Sequence, residues 1–104
     1  MKANIDRDYL VNMLGSERAA EQFIVLFEQE SKQLIIDLLK FWDDGDYKNL
    51  TIAAHGLKSH LRYVKANELA DIAQKIENMS EQKQLNWELK ELITELIEKM
   101  KELI

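Results

Sequence analysis

Apolar residues recur every three or four positions along almost the whole chain, and each such run predicts a helix with one buried stripe. The first run is short. Tyr9, Leu10, Met13 and Leu14 follow Asp6, a good N-cap residue, and stop at Gly15. Ser16 caps a long second helix, whose apolar positions are Ala20, Phe23, Ile24, Phe27, Leu34, Ile35, Leu38, Leu39 and Trp42. Asp43-Asp44-Gly45-Asp46 ends it, with Gly45 suited to the left-handed C-terminal position. The spacing predicts a third helix from about Asp46 to Tyr63, with Leu50, Ala53, Ala54, Leu57, Leu61 and the following Val64 turned inward. A fourth spans about Asn67 to Asn78 on Leu69, Ile72, Ala73 and Ile76, and a break opens at Ser80. The last helix runs from about Gln84 to the C-terminus, with a seam of Leu85, Leu89, Leu92, Ile93, Leu96, Ile97, Met100 and Leu103. Short connections between long amphipathic helices make antiparallel neighbours. The predicted fold is therefore all-α: an up-and-down four-helix bundle preceded by a short N-terminal helix, one domain over residues 1–104.

Composition agrees with that pattern and removes several chemistries. A 104-residue chain that is 46% hydrophobic suffices for one packed core. Proline is absent and glycine numbers three, so little interrupts a helical hydrogen-bond ladder. Without cysteine there is no disulfide, thiolate metal site or cysteine nucleophile. No apolar run approaches the roughly 20 residues that span a bilayer. Nor does the N-terminus carry the apolar core of a signal peptide. The expectation is a cytoplasmic protein without membrane insertion.

Charge is unevenly spread. The net charge is -5, yet residues 46–65 carry +3 while the segments on either side carry -4 each. A local basic patch on an acidic chain would steer an acidic partner toward this segment. It is too small, on too acidic a background, for nucleic acid.

That basic segment holds His55. On a helix its face also carries Thr51, Ile52, Lys58, Ser59 and Arg62, while Leu50, Ala53, Ala54, Leu57 and Leu61 lie opposite. The imidazole is thus placed at the boundary, free to meet solvent or a partner. His60 lies five residues on, about 140° around the helix. The two histidines do not converge, no metal site is expected, and His60 reads as a structural or surface residue. A neutral imidazole is a good nucleophile near pH 7, because its unperturbed pKa is about 6.5. The N–P bond it forms is labile, which suits a phosphoryl carrier. Such transfer depends mainly on positioning and charge stabilisation. Lys58 and Arg62 supply candidate positive charge, and a carboxylate on the other ring nitrogen would fix the reactive tautomer.

Ala54-His55-Gly56-Leu57-Lys58-Ser59, followed without a gap by Ala66, Leu69, Ile72, Ala73, Ile76 and Glu77, resembles the histidine phosphotransfer (HPt) domain family. Phe23, Phe27, Asp44-Gly45-Asp46 and Leu50 resemble the same family upstream, so the likeness covers essentially the whole chain. It implies a helical bundle in which His55 accepts a phosphoryl group on Nε2 from a receiver-domain aspartate. Lys58 would stabilise charge, Glu77 would orient the imidazole, and Thr51, Ile52, Ser59 and Arg62 would contact the partner. The implied partners are a response-regulator receiver domain and, as a further candidate, a hybrid sensor histidine kinase. No cofactor and no autonomous kinase activity are implied, since the magnesium ion belongs to the receiver; a phosphoryl carrier and a monomer are expected. Two positions depart from the family, which has glycine where Ser59 and Lys65 stand. Lys65 predicts a turn built differently or an extended helix, because positive φ disfavours a side chain. Two alternatives accompany this reading. One is a non-catalytic helical-bundle interaction module that binds a receiver or kinase without transferring phosphate. In the other, the leucine seam of residues 85–103 pairs with a second chain.

Overall fold

A computed structural model describes residues 5–103. Its elements are α1 (Arg7–Leu14), α2 (Glu17–Asp43), α3 (Tyr47–Tyr63), α4 (Asn67–Glu81) and α5 (Trp87–Leu103), with no strand among the described residues. Each of α2 to α5 packs against the next and α5 returns to α2, which closes an up-and-down bundle. At 27 residues α2 is much the longest helix. Its first turns meet α1, where Arg7 pairs with Glu21.

Local chemistry sets the helix ends. Asp6, Ser16, Asp46 and Asn86 each accept a hydrogen bond from the backbone N–H three residues on, satisfying a donor with no partner inside the helix. Three C-termini share one geometry. Asp46 N–H bonds Phe41 O at 2.9 Å, Ala66 N–H bonds Leu61 O at 3.0 Å, and Gln84 N–H bonds Met79 O at 2.8 Å. In each case the residue before the donor is left-handed: Gly45 at φ 66°, Lys65 at φ 60° and Lys83 at φ 60°.

Lys65 therefore does not alter the turn. It occupies the glycine conformation, at a cost of about 1–2 kcal/mol for a residue with a Cβ. Its ammonium lies 4.1 Å from the centre of the Tyr9 ring, and Lys83 lies 4.9 Å from that of Tyr47. A cation–π contact contributes about 0.5–1 kcal/mol at an exposed site, which offsets part of the strain.

Two boundaries differ from the periodicity reading. Ser80 does not break α4. It is fully buried, and its hydroxyl donates to the Ile76 carbonyl at 2.7 Å, so the helix continues to Glu81. α5 starts at Trp87 rather than Gln84, because Asn86 supplies the cap.

The core is continuous. Phe27 and Leu38 from α2, Leu57 and Leu61 from α3, Ile76 from α4 and Leu89, Ile93, Leu96 and Met100 from α5 are among its buried residues. The leucine seam of α5 thus faces its own bundle. Among the described residues, no helix is long and apolar enough to cross a membrane.

Gly56 sits inside α3 without a positive φ. A Cβ there would meet only Leu34 Cδ2, at 4.0 Å. Gly56→Ala should therefore stabilise the fold by about 0.5–1 kcal/mol, the helix-interior penalty of glycine. Urea denaturation checks this, and a lower midpoint would show crowding that the present packing lacks.

Candidate functional site

Turn geometry brings the site together. α3 and α4 form an antiparallel pair hinged at Ala66, so residues equally far from that turn come opposite each other. His55 and Glu77 lie eleven residues before and after Ala66, and Lys58 and Gln74 lie eight before and after it. Both pairs touch. His55 Nδ1 is 3.1 Å and 3.3 Å from the two Glu77 carboxylate oxygens. Lys58 Nζ donates to Gln74 Oε1 at 2.9 Å and lies 2.8 Å from Glu77 Oε1.

A carboxylate only accepts, so His55 meets Glu77 through an Nδ1–H. In the neutral ring this leaves the lone pair on Nε2, and the imidazole side chain is 61% exposed. Burial pushes the Glu77 carboxyl upward in pKa. Hydrogen bonds from Lys58 and His55, with their positive charge, outweigh it and hold the group below the ordinary carboxylate value. Glu77 is therefore an anion near neutral pH.

Lys58 does not lie open beside His55, as helical phase alone placed it. Its side chain is only 11% exposed and its ammonium is held in the α3–α4 seam by Glu77 and Gln74. Ile52, Ser59 and Arg62 are exposed on the His55 face. Thr51 is partly covered and donates to the Tyr47 carbonyl at 2.8 Å, within its own helix. Among the described residues no group of three His, Cys, Asp or Glu side chains is arranged to hold a metal ion.

Two features were missed from sequence. Gln74 is one, although counting residues outward from the turn would have found it opposite Lys58. The other is the partner of His60, which takes no part in the His55 cluster. His60 stacks on Phe27 with ring centres 4.1 Å apart and planes within 2°. The Ser31 hydroxyl donates its one proton to the Phe27 carbonyl at 2.7 Å. The 2.8 Å contact between Ser31 Oγ and His60 Nε2 is then an N–H donated by histidine. His60 Nδ1 faces Glu30 at 3.7 Å.

Burial lowers the His60 pKa below its ordinary value of 6.5, and the Glu30 carboxylate and Phe27 carbonyl oppose this without reversing it. The unfolded chain then binds the proton more readily than the folded one. The stabilising contribution of neutral His60 is full above about pH 6.5 and is lost as pH falls toward the lower folded value. Urea midpoints measured from pH 7.5 to 5 should decline, and His60→Gln should flatten that slope whatever its absolute stability. An equal slope in the variant would assign the proton uptake elsewhere.

A family model described as the Hpt domain matches residues 22–103. No curated protein and no solved structure gave a match. The match takes in α3, α4 and α5 whole and α2 from residue 22 onward, leaving out α1. The chain belongs to the Hpt domain family, the histidine phosphotransfer domains of two-component signalling.

Proposed function

We propose that this chain, acting as one domain, relays a phosphoryl group between receiver-domain aspartates through His55 in a multistep phosphorelay. The observation that carries the reading is the Nδ1 contact with Glu77, which leaves an exposed Nε2 lone pair. That lone pair attacks phosphorus in the receiver's aspartyl phosphate. The N–P bond forms as the P–O bond to aspartate breaks, and aspartate leaves as a carboxylate. His55 keeps its Nδ1 proton, so the ring becomes a phosphorylated imidazolium whose positive charge faces Glu77. Transfer to a second receiver is the reverse reaction on a new carboxylate.

Ile52, Ser59 and Arg62, with the edge of Thr51, form the surface on which the receiver docks. Arg62 and Lys48, exposed on α3 seven residues before His55 and so on the same face, meet its acidic phosphorylation site. Lys58 and Glu77 cancel in charge, so these two cations supply the net positive field near neutral His55. Ser59 adds one hydroxyl to the approach and leaves the imidazole exposed.

A two-stage transfer tests the proposal. A phosphorylated receiver should label the chain, and an unphosphorylated second receiver should then remove the label. Stable receiver binding with no label at any time would instead support an interaction module and defeat the carrier reading.

A further inference from the structure

The Lys58 ammonium shares Glu77 with His55, and its direction decides what it does. Its stem leaves α3 at a position that could reach toward the His55 face. Its charge is turned instead to Glu77 Oε1 at 2.8 Å and Gln74 Oε1 at 2.9 Å. The orientation of the Gln74 amide is fixed by a further neighbour. Gln74 Nε2 donates to Asn78 Oδ1 at 2.8 Å, one turn along α4. With its NH₂ group committed there, the amide oxygen is the end that faces Lys58. The chain of contacts runs Asn78, Gln74, Lys58, Glu77, His55, and each residue lies on α3 or α4, eight to twelve residues from Ala66.

We propose that Gln74, oriented by Asn78, is a positioning residue that holds the Lys58 ammonium against Glu77 and thereby fixes the carboxylate on His55 Nδ1. A neutral amide suits this task. It accepts from the ammonium without adding negative charge, so Lys58 is electrostatically paired with Glu77 alone. With neutral His55 the cluster is then uncharged where an anionic phosphoryl group arrives. A carboxylate at position 74 would divide the ammonium between two anions and leave the cluster at -1. This assignment rests on the phosphoryl-carrier reading only for its effect on transfer; the hold on Glu77 stands apart from it.

Two variants separate geometry from charge. Gln74→Met keeps the length of the side chain and removes the acceptor; Gln74→Glu keeps an acceptor of the same shape and adds charge. The Glu77 carboxyl is followed by carbon-detected NMR titration in the full chain, beside phosphoryl uptake from a phosphorylated receiver. Both variants should raise the Glu77 titration from its lowered position toward the ordinary carboxylate value. Both should also slow uptake about three- to tenfold at saturating receiver. A merely structural role would lower the thermal stability of Gln74→Met without moving that titration. An unmoved Glu77 titration in folded Gln74→Met, where no charge has been added, overturns the proposal. A chain that takes up no phosphoryl group but shows the Glu77 shift would defeat the carrier reading while leaving the positioning role of Gln74 in place.

Discussion

Replacing His55 with glutamine should reduce phosphoryl labelling from a phosphorylated receiver at least about 10³-fold, to background, while leaving the fold intact. The first half follows from chemistry. An amide has no lone pair of comparable nucleophilicity, and deleting the attacking group removes the covalent route altogether. The second half follows from burial. The His55 side chain is 61% exposed and packs into no core position. Glu77 loses one donor but keeps Lys58 at 2.8 Å, so no buried carboxylate is stranded. Surface substitutions of this kind usually change stability by within about 0.5 kcal/mol. Labelling and a thermal melt on the same preparation check both halves. Lost label with a large fall in melting temperature would mean that His55 matters for folding as well.

Truncating Leu57 to alanine should have the opposite signature. Leu57 lies between His55 and Lys58 in the chain but is fully buried in the bundle core. Loss of its methyl groups and the cavity left behind cost about 2–5 kcal/mol. Domains of this size are stable by about 5–15 kcal/mol in total. The melting temperature should therefore fall by roughly 8–40 °C, at about 4–8 °C per kcal/mol near 100 residues. Below the new transition the geometry of His55, Glu77 and Lys58 is retained, so transfer by the folded fraction should stay within a few-fold of wild type. A small stability loss would show that the core closes over the cavity. A large transfer defect in folded protein would show that the α3 core sets the site more tightly than its hydrogen bonds do.

The contrast between neighbouring residues also marks what was legible in the sequence. Periodicity separates Leu57 from His55 because burial on a helix depends on angle, and 100° per residue is fixed by the backbone. The same rule places Leu89, Ile93, Leu96 and Met100 in one seam, and capping chemistry locates Asp6, Ser16 and Gly45. The rule fails where a side chain is long or a partner is distant. Lys58 shares the angular sector of His55, but its flexible stem let Glu77 and Gln74 draw the charge into the seam. His60 met Ser31 across 29 residues, a pairing set by the register of α2 on α3 and by no local pattern. Glycine is the sequence marker of a left-handed helix end, so Lys65 reads as altering its turn, Lys83 gives no signal and the end of α4 reads as Ser80.

The most direct test of the account is the site of the phosphoryl group itself. The wild-type chain, incubated with a phosphorylated receiver, is examined by phosphorus and nitrogen NMR and by acid and base lability. One acid-labile, base-stable phosphoramidate on Nε2 of His55 is expected. A folded chain that binds the receiver yet carries no phosphoryl group, or carries it on Nδ1 or on another residue, would contradict it.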